Sequence, residues 1–146
     1  MKVIIVIVTI LFVLSIISYK IGFKTGFNKT KKKIIEIRKS KIHNKGVFSN
    51  YKIKKGALIE IAPYIVVRDK KFINDYVFFY TKQKVYCLVL GSGSMFNHSK
   101  NYNVDFFVDS DNQNFEYYAN RDIEKNEELF INYGEEYFKT RFINPK

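Results

Sequence analysis

Sixteen consecutive uncharged residues, Val3 to Ser18 (VIIVIVTILFVLSIIS), divide this chain of 146 residues into a segment unsuited to water and a remainder suited to it. A soluble strand is far shorter, and a soluble helix shows a polar face; this segment shows none. Extended by Tyr19, it would span roughly 25 Å as a helix, near the lower limit for crossing a bilayer. A cleaved signal peptide would have Lys2 as its basic start, but no small-x-small cleavage site follows. Tyr19-Lys20-Ile21-Gly22-Phe23-Lys24 reads instead as the flank of a retained anchor. The chain thus divides into a transmembrane anchor over 1–22, a basic linker over 23–33, a folded domain over 34–140 and a tail over 141–146.

The net charge of +11 is unevenly placed: residues 1–33 carry seven lysines and no acid. Only Lys2 precedes the apolar run, whereas Lys20, Lys24, Lys29, Lys31, Lys32 and Lys33 follow it. The positive flank stays on the cytoplasmic side, which predicts a single-pass membrane protein with its domain facing the cytoplasm. The linker could also touch anionic headgroups. A nuclear-import or nucleic-acid reading of Lys29–Lys33 competes, but beside a spanning segment topology suffices to explain the charge. No direct nucleic-acid contact is expected. Over 101–146 the sign reverses, with ten acidic residues against five basic ones. Such a surface complements a basic peptide, or is an ordinary solvated acidic face.

Beyond the linker, short runs rich in β-branched and aromatic residues predict strands at Ile34–Arg38, Val47–Ser49, Leu58–Val67, Val77–Tyr80, Val85–Leu90, Val104–Val108, Phe115–Ala119 and Leu129–Asn132. Turn signals separate them at 44–46, 54–56, 91–93 and 109–114. Helical periodicity is confined to Asp69–Asp75 and the stretch after Glu135. The single cysteine, Cys87, lies in a hydrophobic run and reads as a buried core residue; alone it forms neither an intramolecular disulfide nor a thiol-rich zinc site.

Four ordered patterns carry chemistry. Ser40-Lys41-Ile42-His43-Asn44-Lys45-Gly46-Val47-Phe48-Ser49 resembles the Gly-x-Gly-Val-Phe turn of SET-domain methyltransferases, with Asn44 at the first glycine position. Asparagine tolerates positive φ. Lys55-Gly56-Ala57-Leu58-Ile59-Glu60 is similar to the family's Gly-x-x-x-Glu hairpin. Met95-Phe96-Asn97-His98-Ser99-Lys100-Asn101-Tyr102-Asn103 resembles its Phe-x-Asn-His-Ser-x-x-x-Asn signature, and Glu127-Glu128-Leu129-Phe130-Ile131-Asn132-Tyr133-Gly134 its Glu-Glu-Leu-x-x-x-Tyr-Gly segment. The likeness covers roughly 34–140 and looks nearest to the compact viral SET histone-lysine methyltransferases.

That resemblance implies a mostly β SET fold of small sheets, with the Asn-His-Ser and Tyr segments crossing in a pseudoknot. It implies S-adenosylmethionine as cofactor, bound by Asn44, Lys45, Gly46, Val47, Asn97, His98 and Tyr133. Tyr133 takes the place of the catalytic tyrosine, and Tyr76, Tyr137 and Phe138 become walls of a lysine channel, with Tyr80 or Tyr86 as substitutes for Tyr76. Lys100 stands where relatives often have a zinc-binding cysteine, so no metal is expected. The implied partner is a lysine-containing protein, a histone tail in the soluble relatives or something reachable from a membrane here. Compact relatives are dimers, which implies a homodimer. Asn97-His98-Ser99 is also a glycosylation sequon, so occupancy of the cofactor site depends on a cytoplasmic domain. A catalytically weak SET fold serving as a membrane-tethered scaffold is the rival reading.

Overall fold

The computed structural model describes residues 32–69 and 74–142. The anchor, nearly all of the linker and the end of the tail lie outside these residues. Among the described residues, no helix is long and apolar enough to cross a membrane.

Among the described residues, nine strands make two sheets. In chain order they are β1 (Ile35–Lys39), β2 (Lys45–Ser49), β3 (Leu58–Val67), β4 (Val77–Tyr80), β5 (Val85–Val89), β6 (Asn97–His98), β7 (Val104–Asp109), β8 (Asn114–Ala119) and β9 (Glu128–Ile131). One sheet has the order β1-β2-β9-β6, the other β4-β5-β3-β8-β7. Eight strands fall where β-branched and aromatic runs predict them. The ninth, β6, is two residues long and too short to leave a periodic signal. The helical expectations contract to a 3-10 turn at Asn74–Tyr76 and a short helix, α1 (Glu135–Lys139); part of Asp69–Asp75 lies outside the described residues.

The long strand β3 explains how the larger sheet holds together. It pairs with β8 over Leu58–Pro63 and with β5 over Tyr64–Val67. Pro63, which lacks a ladder donor, stands at this handover, where its missing N–H costs least. Strands β3, β5, β7 and β8 turn Ala62, Tyr64, Cys87, Val89, Val104, Phe115 and Tyr117 into the core, all nearly solvent-free. The thiol of Cys87, buried among them, is pushed up to about 11 by desolvation.

Phe96, just before β6, stacks flat on Tyr117 of β8 with ring centroids 4.7 Å apart. The Tyr117 hydroxyl donates to the Gly93 carbonyl at 3.1 Å. This fixes the 3-10 turn Gly93–Met95 that leads into β6.

β6 pairs in parallel with β9, Asn97 opposite Phe130 and His98 opposite Ile131. This is the contact that a crossing of the two segments requires. Asn103 extends it. Its backbone N–H donates to the Phe130 carbonyl at 3.2 Å, and the Phe130 N–H donates to its Oδ1 at 2.8 Å. Its Nδ2 donates to the Glu128 carbonyl at 2.9 Å and to Glu127 Oε1 at 3.1 Å. Every polar atom of this fully buried side chain is thereby satisfied.

Candidate active site

The β6–β9 register sets the site. Two residues past the end of β9, the Tyr133 backbone N–H donates to His98 Nδ1 at 3.2 Å, and its phenol donates to the Phe96 carbonyl at 2.6 Å. Because Nδ1 accepts, the neutral imidazole carries its proton on Nε2. Burial lowers the His98 pKa; the nearby Ile131 carbonyl opposes the shift and Lys100 adds to it. The Tyr133 pKa is raised, first by desolvation and further by the neighbouring Tyr137 phenol. Tyr133 therefore stays protonated near neutral pH. With its proton committed to Phe96, its lone pairs are left to face the cavity.

Asn97 is buried, and its Nδ2 donates to the Lys45 carbonyl at 3.1 Å and to Glu128 Oε1 at 2.9 Å. It ties the turn before β2 to β6 and β9. Gly46 is required there by close approach: a Cβ at that position would lie 2.1 Å from Glu128 Oε1 and 2.9 Å from Asn97 Nδ2. The preceding Asn44 has φ of 38°, so it supplies the backbone geometry that its resemblance to a glycine position demands.

Two cavities meet at this point. The first, about 490 Å3, is lined by Asn44, Lys45, Asn97, His98, Tyr133 and Phe138, with Ile42, His43 and Met95 completing its wall. The second, about 520 Å3, is walled by Tyr76, Phe78, Tyr80, Tyr86, Tyr133 and Tyr137. Asp75, Tyr76, Ser94, Tyr133, Tyr137 and Arg141 border both. The Tyr133 and Tyr137 rings are 4.5 Å apart, which makes the boundary an aromatic one.

Most of the residues expected from sequence converge here, with three differences, the first being that Gly46 is buried and lines neither cavity. Val47 is a fully buried core residue that lines neither cavity. Phe138 borders the first cavity and not the second, meeting the His98 ring edge-on at 4.7 Å. Tyr80 and Tyr86 join Tyr76 in the second wall and do not replace it. Residues that sequence reasoning passed over are His43, Ser94, Met95, Asp75 and Arg141. The aromatic spacing of 133–138 pointed toward α1, but nothing local marked Arg141, which a boundary after residue 140 leaves in the tail.

The first cavity suits a nucleoside-sized cofactor with an amino-acid end. Its volume lies in the range of small-molecule sites. Asn97, Lys45 and the backbone at 43–45 offer polar groups at one side, and Phe138, His98 and Tyr133 offer ring faces that favour a sulfonium. Among the described residues, no group of three or more His, Cys, Asp or Glu could hold a metal ion.

The two chambers share a wall of tyrosines, Tyr76, Tyr133 and Tyr137. Residues 44–134 match the SET domain family. The chain is 35% identical over 109 residues to the histone-lysine N-methyltransferase of Schizosaccharomyces pombe specific for H3 lysine-37, covering 69% of this chain and 74% of that one. The crystal structure of a Plasmodium falciparum protein described as a candidate histone methyltransferase matches with a TM-score of 0.59 at 33% identity, covering 71% of this chain and 96% of the other. The chain belongs to the SET-domain family, and it is a protein-lysine methyltransferase that uses S-adenosylmethionine.

Proposed function

We propose that methyl transfer takes place at the Tyr133 hydroxyl, between a cofactor held in the first cavity and a lysine entering through the second. The carrying observation is that Tyr133 borders both chambers with its phenolic proton committed to Phe96. In this reading Asn97, His98, Asn44 and Lys45 hold the cofactor, and Gly46 and Val47 support that turn from behind. S-adenosylmethionine supplies, when bound, an electrophilic methyl group on a sulfonium. Tyr76 and Tyr137 flank the lysine side chain, and Phe138 closes the cofactor side over His98. An amine attacks only when neutral, and a free lysine is about one part in a thousand neutral at pH 7. A dry aromatic channel raises that fraction by desolvation. The Tyr133 oxygen then orients the methyl group, where alignment is worth most.

The substrate we infer is a lysine in a basic protein segment, histone-like or close to a membrane. The named specificity of the fission yeast relative and the acidic balance of residues 101–146 support it. The charge-free run at 3–18 and the lysines that follow support a single-pass anchor with the domain on the cytoplasmic side. A homodimer is the expected assembly. The scaffold alternative has no specific feature in its favour: Asn44, at the first glycine position of the turn, adopts a positive φ.

The test is transfer of a radiolabelled methyl group by the full chain in detergent to histone H3 and to membrane-fraction proteins. Label on lysine, lost in Tyr133→Phe, is the expected result. No lysine labelling of any protein by a folded chain overturns the reading.

A further inference from the structure

Arg141 lies just past the end of α1, yet its side chain is only 9% exposed. Its guanidinium carbon sits 3.8 Å from the centre of the Tyr137 ring, and Nη1 donates to the Tyr137 carbonyl at 3.1 Å. Nε lies 3.7 Å from Asp75 Oδ1 on the 3-10 turn opposite. The Tyr137 hydroxyl reaches toward the Asp75 carbonyl at 3.4 Å. Among the described residues that border both cavities, Arg141 alone carries a permanent positive charge.

We propose that Arg141 is a positioning residue that fixes the Tyr137 ring at the junction and presents a fixed positive charge there, disfavouring the ammonium form of the incoming lysine. The inference rests on the reading of that junction as the place of transfer.

Among the described residues, several groups border the cavity beside Arg141. From the 3-10 turn come Asp75 and Tyr76, from the stretch after β9 Tyr133, and from α1 Glu136 and Tyr137. The two carboxylates are the only opposing charges among them. Both are exposed, Asp75 by 73% and Glu136 by 81%, so water and salt screen them. Arg141 is shielded and acts through a lower dielectric. Its field reaches the reacting hydroxyl: the cation favours the charged form of both Tyr133 and Tyr137, against the burial that dominates each. The same field on an amine favours the neutral, nucleophilic form. Asp75 at the mouth draws a cationic side chain in, and Arg141 at the wall favours its loss of a proton to water.

A guanidinium can do this where an ammonium cannot fully replace it. Its plane stacks on Tyr137 while its edge holds a carbonyl and a carboxylate, and it never deprotonates. Lysine would keep the charge but lose the stacked, forked geometry.

The experiment uses the full chain in detergent with S-adenosylhomocysteine, which lacks the sulfonium charge, and an H3 tail peptide whose lysines carry 13C at Cε. The Cε shift of the bound lysine, followed against pH, reports its protonation directly. In the unaltered chain the midpoint should lie below that of the free peptide. Arg141→Met should raise it by about one pH unit, and the pH profile of kcat should move by the same amount. Arg141→Lys should keep the low midpoint while kcat falls. Asp75→Asn, which removes the countercharge, should lower the midpoint further. An unchanged midpoint in Arg141→Met with peptide still bound overturns the proposal, as does a rise in Asp75→Asn. Should Arg141→Met fail to fold, the sign of the Asp75→Asn shift decides. If the unaltered chain transfers no methyl group and binds no peptide, it is the function reading that fails; methyl transfer with an Arg141-independent midpoint sinks only this inference.

Discussion

The phenol of Tyr133 donates its proton to the carbonyl of Phe96 at 2.6 Å, and this bond joins the ring at the meeting point of two cavities to the residue just before Asn97. Tyr133→Phe removes the oxygen while keeping the ring and its contact with Tyr137. The expected outcome is a fall in kcat of roughly 10- to 100-fold from lost alignment. The stability change should be only about 1 kcal/mol, the net worth of one hydrogen bond. Single-turnover kinetics and urea unfolding measure the two effects separately.

His98 accepts a backbone N–H at Nδ1, and burial lowers its pKa from the ordinary 6.5. The unfolded chain therefore binds a proton at higher pH than the folded one. The stabilisation from keeping His98 neutral is fully present above pH 6.5 and is lost as pH falls from 6.5 through the lower, folded-state value. Protonation also places a hydrogen where the Tyr133 N–H points. Thermal unfolding midpoints and cofactor affinity should both decline below pH 6.5. His98→Gln should flatten that part of the pH profile.

Asn103 satisfies four backbone and side-chain partners from a fully buried position. Asn103→Ala leaves the Phe130 N–H and the Glu128 carbonyl without that partner, in a place where water does not reach. The expected loss is about 2–4 kcal/mol, read as a lowered urea midpoint at unchanged slope. Asn103→Asp should not restore it, because the carboxylate has no donor for the Glu128 carbonyl.

Cys87 is buried in the core, with its thiol pushed up to about 11. A disulfide reagent should label the native protein about 100-fold or more slowly than the urea-unfolded chain. Cys87→Ala should leave methyl transfer intact at a modest cost in stability. Rapid native labelling would show that the residue is far more accessible than its packing indicates.

Sequence reading succeeded where the physics is local. Alternating β-branched and aromatic residues located eight strands, because side-chain period and half-burial are written into each run. The family resemblance of their motifs singles out Asn97, His98 and Tyr133, and the fold places all three on one cavity. Sequence reading missed what depends on distant partners. Asn97–His98 is a strand only because Phe130 and Ile131 lie beside it. Val47 sits in a cofactor-like motif yet belongs to the core, since alternation along β2 turns its side chain away from the cavity. Phe138 took the cofactor side because the helical turn from Tyr137 rotates it toward His98. Arg141 looks like one more basic residue near the end, and only the placement of Asp75 and the Tyr137 ring gives it a role.

Strand β9 lies inside its sheet, between β2 and β6, and its pairing with β2 joins Val47 to Leu129. Neither neighbour can complete its ladder until a stretch made late in synthesis has arrived. Contacts of such wide sequence separation form slowly, so the junction around Tyr133 is among the last parts of the domain to mature. Until then the buried face of β2, with Val47, stays open to other chains, and a nascent polypeptide stalled before Glu128 is an incomplete sheet that has not yet become an enzyme.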